Sequence, residues 1–214
     1  MSRSRMNAVN HKGMIYLIAV IPFLLNDLSN IHASSYEQWV LVDYACRMAS
    51  LLFLGVMVFK GRLKPDDLGL SLDRKGRLAF WTLILASMTM VYCLASEVLL
   101  KPFEGVWSAT VVEYDRESAF FLVDMTFGLT LVAVSEEIIF RGLALSALKA
   151  YTRNPVVIVL VSALVFALIH WSTGAKNILD CFAYGMIFMA VTMRVRSIIP
   201  ATVVHFLLDY YLLV

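Results

Sequence analysis

Long apolar segments separated by short polar connections constrain the fold of this chain more than any other feature. A helix needs about 20 consecutive, mostly apolar residues to cross a bilayer, and such windows recur along the whole sequence. We place seven of them, at residues 14–30, 36–59, 78–100, 119–140, 155–172, 177–193 and 199–214. Hydrophobic residues make up 60% of the chain, compared with about 45–50% in soluble domains. The sequence therefore predicts an all-α, polytopic membrane bundle of about seven transmembrane helices.

The charges in the connections predict an orientation. Lys and Arg are concentrated before the first span, in the 60–77 connection and after the fourth and sixth spans, whereas the 26–38 connection has none. By the positive-inside rule the N-terminus is cytoplasmic and the C-terminus lies outside. The net charge of +2 is too small to indicate a nucleic-acid partner. No Pro/Gly/Ser-rich linker interrupts the chain, so we expect residues 1–214 to form one membrane-embedded domain.

The first apolar segment allows two interpretations. Basic residues precede residues 14–25, and residues 32–35 resemble a cleavage region, as in a signal peptide. The alternative is a first transmembrane helix that is broken or kinked near Pro22 (the orientation above requires it). The three cysteines lie inside apolar segments without CxxC spacing, which indicates small buried hydrophobes and not a disulfide framework or a zinc site. Residues 101–118, with Trp107 and Tyr114, are typical of an interfacial connection.

Three charged residues interrupt the apolar run that extends from residue 119 to residue 150. They are Glu136, Glu137 and Arg141, and charged side chains within a membrane segment raise a functional-site hypothesis. Glu137 and Arg141 are four residues apart, so they share a helix face and can pair. Glu136 points about 100° away from Glu137 and has no local partner. The sequence predicts a structural Glu137–Arg141 pair and a Glu136 that is available for chemistry.

Two histidines lie on later apolar spans. His170 closes the fifth span, and His205 shares a face of the last helix with Asp209, four residues further on. At a rise of 1.5 Å per residue, Glu136 and His170 lie about 20 and 22 Å from the predicted cytoplasmic face. His205 and Asp209 lie about 9 and 15 Å beyond the start of the last span. Glu136, His170, His205 and Asp209 therefore fall within the membrane interior, where they can converge.

Other charged residues within the spans have simpler explanations. Asp43 and Arg47 are four residues apart in the second span, which favours a structural pair. Asp124 and Asp180 have no obvious local partner and lie near predicted membrane boundaries. Either one is a further candidate for lining a site.

The residue types support hydrolysis by direct attack of water. A carboxylate beside a neutral imidazole can deprotonate and orient a water molecule, and a second His and an Asp that carry protons can stabilise an oxyanion. No Gly-x-Ser-x-Gly motif and no protease-like Cys–His motif is present, so covalent catalysis is not favoured. The same residues have a competing use, because zinc binds two His and one Glu with a water in the fourth position.

Three motifs, in this order, carry a family resemblance. They are Glu136-Glu137-x-x-x-Arg141, Phe166-x-x-x-His170 and His205-x-x-x-Asp209. Together they resemble the CPBP intramembrane protease family, which comprises CAAX proteases and bacteriocin-processing enzymes. The resemblance covers about residues 119–214. One position differs from the prenyl-protein branch, which has Asn where this chain has Asp209.

The resemblance implies a glutamate-dependent intramembrane endopeptidase. Glu136 and His170 would activate water, and His205 with Asp209 would form the oxyanion site. Glu137 and Arg141 would support the site structurally. The implied substrate is a membrane-anchored or lipidated protein cut near its C-terminus, and the partners are this substrate and membrane lipid. The implied location is the plasma (inner) membrane of a bacterium, and no cofactor is expected.

Three alternatives remain open at this point. A metal-dependent enzyme would bind zinc through Glu136, His170 and His205. A non-catalytic bacteriocin-immunity or protein-sorting scaffold would keep the fold without the activity. A proton-coupled transporter would use Asp124, Glu136 and Asp180 as a proton path, although the repeats and broken helices common in that class are not evident.

Overall fold

The structure is a computed structural model that describes residues 3–72, 75–107 and 116–213. Within these residues it contains helices and no β-strand, which confirms the all-α membrane bundle. The helices are α1 Arg3–His32, α2 Tyr36–Phe59, α3 Lys75–Leu99, α4 Ala119–Val123, α5 Leu129–Glu137, α6 Ala144–Tyr151, α7 Pro155–Leu168, α8 Ala175–Val195 and α9 Ile199–Leu213.

One continuous helical rod runs through residues 119–151, and we call it the central helix. It consists of α4, α5 and α6 joined by two π-helical segments, Asp124–Gly128 and Ile138–Leu143. π-Helical turns are rare and are frequently found at functional sites. The second one begins directly after Glu137. The sequence predicted a plain helical span at 119–140, and its periodicity did not reveal either segment.

Local sequence explains where several helices begin. The Ser35 hydroxyl accepts a hydrogen bond from the Gln38 backbone N–H at 3.2 Å and caps α2. Asn154 caps α7 by accepting from the Val156 N–H at 2.9 Å, and Pro155 occupies the first helical position, where its missing N–H costs nothing. Helix α1 is continuous across Pro22, so the predicted break there is wrong.

The long helices carry the properties of membrane spans. In the described part of the chain, four helical segments are long and apolar enough to cross a bilayer alone: residues 11–32, 36–59, 75–99 and 175–195. Helices α7 and α9 are apolar but shorter. Large hydrophobic side chains of α1–α3 are exposed on the outer surface, among them Leu17, Leu52 and Leu83. Such a surface suits contact with lipid.

The central helix lies in the interior and is surrounded by the other helices. It packs against α1, α2, α7, α8 and α9, while α3 packs against α8 and α9. Helix α1 contributes Ile15, Ala19 and Phe23 to the core, so the first apolar segment is an integral part of the bundle. Of the cysteines, Cys93 and Cys181 are buried and Cys46 is half-buried, and all three are free.

The described segment 60–72 of the 60–77 connection is docked onto the bundle. Its 3₁₀ turn Pro65–Leu68 packs on the central helix at Gly142. A Cβ at that position would come within 2.1 Å of the Leu68 carbonyl oxygen, so only glycine permits this approach. Asp67 accepts hydrogen bonds from Lys12 at 2.6 Å and from the Ser146 hydroxyl at 2.9 Å.

The connection between α3 and α4 is described only in part. Trp107 is exposed, and its indole N–H donates to the Trp171 carbonyl at 3.2 Å. Tyr114, the other aromatic residue assigned to an interfacial segment, lies outside the described residues. The indole of Trp107 thereby contacts the turn that follows α7.

Candidate active site

A cavity inside the bundle brings the predicted site residues together. It has a volume of about 280 Å³ and lies between α2, the central helix, α7, α8 and α9. Its lining includes Glu136, His170, His205, Asp209 and Arg47. The cavity lies towards the end of the bundle where α2 and α8 begin and α7 and α9 end. The four predicted site residues, which are up to 73 positions apart in the sequence, therefore line the same cavity.

Glu136 has a partner that the sequence did not reveal. The Arg47 guanidinium on α2 donates Nη1–H to Glu136 Oε1 at 2.8 Å and to the Ser135 hydroxyl at 3.3 Å. The sequence indicated no local partner for Glu136, and this partner lies 89 positions away in the chain. Its second oxygen, Oε2, makes no hydrogen bond to any described residue and is buried, so one oxygen is held by a cation and the other remains available.

The same arginine binds a second carboxylate. Arg47 Nε donates to Asp43 Oδ2 at 2.7 Å, which confirms the predicted pair, and Asp43 also accepts from the Asn26 amide at 2.6 Å. The pair is not isolated, however, because Arg47 joins Asp43 to Glu136. Asp43, Arg47 and Glu136 are all buried, so this ionic chain lies within the protein interior.

Glu137 and Arg141 form the ion pair that their spacing predicted. Arg141 Nε lies 3.2 Å from Glu137 Oε2, without the alignment of a hydrogen bond. The guanidinium also stacks against the ring of Phe166, with its central carbon 3.9 Å from the ring centroid, and lies 5.4 Å from that of Phe188. Cation–π contacts of this kind stabilise a desolvated cation. They hold Arg141, which is 1% exposed, in the wall of the cavity.

Glu137, on the central helix, orients the imidazole of His205, on α9. Its Nδ1 lies 2.8 Å from Glu137 Oε1, and since a carboxylate only accepts, Nδ1 carries the proton of this hydrogen bond. Its Nε2 lies 3.4 Å from Asp209 Oδ2 and 3.7 Å from Glu136 Oε2. The shared face of His205 and Asp209 agrees with their four-residue spacing. Glu137 therefore contacts both the arginine of its own helix and the imidazole of α9.

His170 lies in the turn after α7 and not within a helix. The predicted fifth span extended to residue 172, but α7 ends at Leu168. Nδ1 of His170 lies 2.9 Å from the Phe166 carbonyl oxygen, so Nδ1 carries the proton of this bond. A neutral His170 then has its lone pair on Nε2, which can accept a hydrogen bond from water.

Helix α1 holds the turn that carries His170. Asp27 accepts hydrogen bonds from the backbone N–H of Ser172 at 2.9 Å and from its hydroxyl at 2.6 Å, and the Asn30 amide donates to the same hydroxyl at 3.2 Å. Asp27 is 3% exposed. Asp27 therefore lies inside α1 and not in the 26–38 connection.

The remaining acidic candidates have partners. Asp124 lines the cavity and accepts hydrogen bonds from the hydroxyls of Tyr36 at 2.7 Å and Tyr44 at 2.8 Å. Asp180 accepts from the Tyr92 hydroxyl at 3.0 Å and pairs with Lys176 at 3.1 Å. Asp180 does not line the cavity. A route through Asp124, Glu136 and Asp180 is therefore not contained in this cavity.

The donor atoms do not fit the zinc alternative. Within residues 3–72, 75–107 and 116–213, no group of three or more His, Cys, Asp or Glu side chains is arranged to hold a metal ion. Arg47 places a cation 2.8 Å from one oxygen of Glu136, and this charge would repel a zinc ion bound to the same carboxylate. The contact between Glu137 and Nδ1 of His205 does not argue against zinc, because a zinc-binding histidine normally donates its other ring N–H to a carboxylate.

Arg47 and Asp27 are the site residues that sequence reasoning missed. The signal for Arg47 was present, because an arginine within an apolar span is rare, but the nearby Asp43 offered a sufficient local partner. The signal for Asp27 was weak, since it lies near the end of the first apolar segment. In both cases the contact spans more than 80 positions, and helical periodicity carries no information over that distance.

The C-terminal part of the chain matches a known protein family. Residues 118–211 match the family model described as Rce1-like, type II CAAX prenyl endopeptidase Rce1-like. The match contains all three motifs that carried the resemblance, and it confirms that resemblance. No curated protein and no solved structure gives a significant match. Arg47 and Asp27 lie outside the matched residues.

Proposed function

We propose that this integral membrane protein, whose residues 118–211 match the Rce1-like CAAX endopeptidases, hydrolyses a peptide bond in a membrane-associated protein near the C-terminus of that protein. One observation carries the proposal: Glu136, His170, His205 and Asp209 line a single cavity inside the bundle. A scaffold does not require two imidazoles and two carboxylates around a buried cavity.

In this proposal Glu136 and His170 activate the attacking water. Oε2 of Glu136 has no hydrogen-bond partner among the described residues, so it can accept a proton from water. Nε2 of a neutral His170 accepts the second hydrogen bond of the same water and orients it. Arg47 fixes the Glu136 carboxylate through its other oxygen at 2.8 Å. General-base catalysis of this kind contributes about 10²–10⁴-fold to a rate.

His205 stabilises the oxyanion that forms when water adds to the carbonyl carbon. An imidazole that carries both protons donates Nδ1–H to Glu137 and has Nε2–H for the oxyanion, because Nε2 lies 3.4 Å from Asp209 Oδ2 and 3.7 Å from Glu136 Oε2, and both of these residues line the cavity. Asp209 joins as a second donor only when it is protonated, since an ionised carboxylate has no proton to donate. Pre-arranged donors of this kind act mainly on the transition state.

The step is complete when the C–N bond breaks. The water oxygen bonds to the carbonyl carbon, Glu136 holds the proton removed from water, and the tetrahedral intermediate collapses. Glu136 then passes that proton to the departing amine nitrogen. No acyl-enzyme forms, and the water supplies all the atoms added to the products.

We further propose that the whole chain acts as one domain in the plasma (inner) membrane of a bacterium. Helices α1 and α2 lie outside the matched residues, yet they supply Asp27 to the His170 turn and Arg47 to Glu136. With the N-terminus in the cytoplasm, the basic connections lie on that side and the cavity lies towards the opposite face. A lipidated or membrane-anchored substrate would then reach it laterally or from outside.

The test uses purified protein and peptides that represent C-terminal tails of membrane-anchored proteins. Wild-type protein should release a C-terminal fragment, detected by mass spectrometry, and Glu136→Gln should lower the rate about 10²–10⁴-fold. The matched control is Glu97→Gln, which changes an exposed glutamate that pairs with Lys176 and should leave the rate unchanged. A chelator should have no effect.

The outcomes separate the rival functions. Hydrolysis that survives Glu136→Gln contradicts the assignment of the base. A wild-type protein that cleaves no tail peptide but still protects cells from a bacteriocin is a scaffold. Proton-coupled flux in liposomes without cleavage indicates a transporter.

A further inference from the structure

A second cavity, larger than the first, lies at the opposite end of the bundle from the candidate active site. It measures about 820 Å³, within the range of about 300–1,000 Å³ typical of ligand pockets. It is bounded by the docked 60–72 segment, the start of α3, the end of α6 and the end of α8. We call it the basic cavity, because the described residues of its lining include Arg77, Lys149, Arg194 and Arg196 but a single carboxylate, Asp66.

The four cations of the basic cavity have no carboxylate partner among the described residues. Within the described parts of the chain, none of the four makes an ion pair; the Arg77 guanidinium donates instead to the Arg194 backbone carbonyl. Lys149 loses hydration through partial burial and lies near Arg196, and both effects hold the pKa of its ammonium below the usual value. The repulsion is relieved when an anion binds between the cations.

A buried hydroxyl in the same wall also lacks a partner. Thr192 lines the cavity and is 1% exposed, and its hydroxyl makes no hydrogen bond to any described residue. A threonine in a helix can donate to the carbonyl four residues earlier, as Thr82 and Thr202 do at 2.9 and 3.1 Å. A buried polar group without a partner is costly. A bound acceptor oxygen would remove this cost.

Membrane topology alone explains only part of this arrangement. Basic residues are expected in cytoplasmic connections, and cations at the C-terminal ends of α6 and α8 interact favourably with the helix dipoles. Neither effect requires a cavity between the cations or an unpaired hydroxyl in its wall. Arg196 moreover adopts the left-handed cap conformation (φ 62°), a position where glycine is usual.

From these observations we infer that the basic cavity binds the phosphate of an anionic membrane lipid headgroup. Phosphate oxygens would accept hydrogen bonds from the surrounding cations and from the Thr192 hydroxyl. Leu145, Met193 and Val195 supply apolar wall, which suits the glycerol backbone and the first methylenes of the acyl chains. Basic pockets between transmembrane helices on the cytoplasmic side bind acidic headgroups in this way.

The test measures stabilisation of the full-length protein in a neutral detergent by three probes at equal concentration. The probes are dihexanoyl phosphatidylglycerol, dihexanoyl phosphatidylcholine and inorganic phosphate. A ligand that binds only the folded state raises the unfolding temperature according to its concentration and affinity. The anionic lipid should raise it most, and the zwitterionic lipid should not raise it.

Two matched double variants locate the binding. Lys149→Gln/Arg196→Gln removes two cations of the basic cavity, and at about fivefold for each cation the affinity for phosphatidylglycerol should fall about 25-fold. Lys60→Gln/Arg62→Gln removes the same charge from exposed residues at the same end of the bundle, outside the cavity lining. It should change the affinity less than about twofold.

The unfolding temperature without lipid separates lipid binding from a purely structural role. Lys149→Gln/Arg196→Gln relieves the repulsion between the two cations but loses their favourable interaction with the helix dipoles, so it should unfold without lipid close to the wild-type temperature. A large loss of stability without lipid, or equal losses of affinity in both variants, would overturn the assignment. Equal stabilisation by inorganic phosphate would also overturn the lipid assignment and identify free phosphate as the ligand.

Discussion

Replacing Arg47 with methionine isolates the contact that the sequence did not reveal. Arg47 Nη1 lies 2.8 Å from Glu136 Oε1 and Nε lies 2.7 Å from Asp43 Oδ2. Methionine retains much of the apolar stem and removes the cation. Asp43 keeps its hydrogen bond from Asn26, but Glu136 loses its only hydrogen bond to a described residue. The variant therefore leaves two buried carboxylates without their shared counter-ion.

The size of the effect follows from this geometry. Two unit charges about 4 Å apart interact by about 4 kcal/mol at an effective dielectric constant of about 20, and removal of one partner from a buried ion pair costs about 3–5 kcal/mol. We expect Arg47→Met to lower the free energy of unfolding by this amount. Combining it with Glu136→Gln should recover about 2 kcal/mol, because contacting residues couple by about 0.5–3 kcal/mol.

Equilibrium unfolding in mixed micelles measures these differences. A thiol-reactive fluorophore reports unfolding, since Cys93 and Cys181 are buried. Lys176→Met is the matched control: Lys176 also lies between two carboxylates, at 2.8 and 3.1 Å, but in a more exposed position, and its loss should cost less than about 1 kcal/mol. Equal costs for the two variants, or a double variant less stable than Arg47→Met alone, would refute the role of Arg47 as counter-ion of Glu136.

Two further changes test the docked segment 60–72. Gly142→Ala places a Cβ within 2.1 Å of the Leu68 carbonyl oxygen and should cost about 1–3 kcal/mol of unfolding free energy; Gly55→Ala, with nothing within 4 Å, should be neutral or stabilising, and comparable losses would contradict the close approach at residue 142. Burial disfavours the charged form of Asp67, but its hydrogen bonds from Lys12 and from neighbouring N–H and O–H groups outweigh this effect and hold the pKa of Asp67 below its usual value. The stability that it contributes should be present above about pH 4 and be lost as the pH falls through its lowered pKa, so unfolding curves of wild type and Asp67→Asn should converge in acid; a constant difference would refute this.

Much of the architecture could be predicted from the sequence because its causes are local. Apolar runs of bilayer length predict spanning helices, and the structure has helices at each predicted span. Spacings of four residues predicted which side chains share a helix face, and the Glu137–Arg141 and Asp43–Arg47 contacts follow from that rule. Helical periodicity did not reveal the two π-helical segments of the central helix. The apolar pattern also placed the end of the fifth span too late, because α7 ends at Leu168 and His170 lies in the turn after it. The catalytic roles of Glu136, His170, His205 and Asp209 stay predictions.

By itself the sequence determined that this chain forms a helical membrane bundle and which residue types its later spans carry. Only the tertiary structure decided that Arg47 binds Glu136 and that Glu137 orients His205, across 89 and 68 positions of the chain. The physical reason is that a buried charge must find a counter-charge wherever the packed helices bring one near. Hydrophobic periodicity indicates which face of a helix is buried, but it does not indicate which neighbouring helix packs against that face.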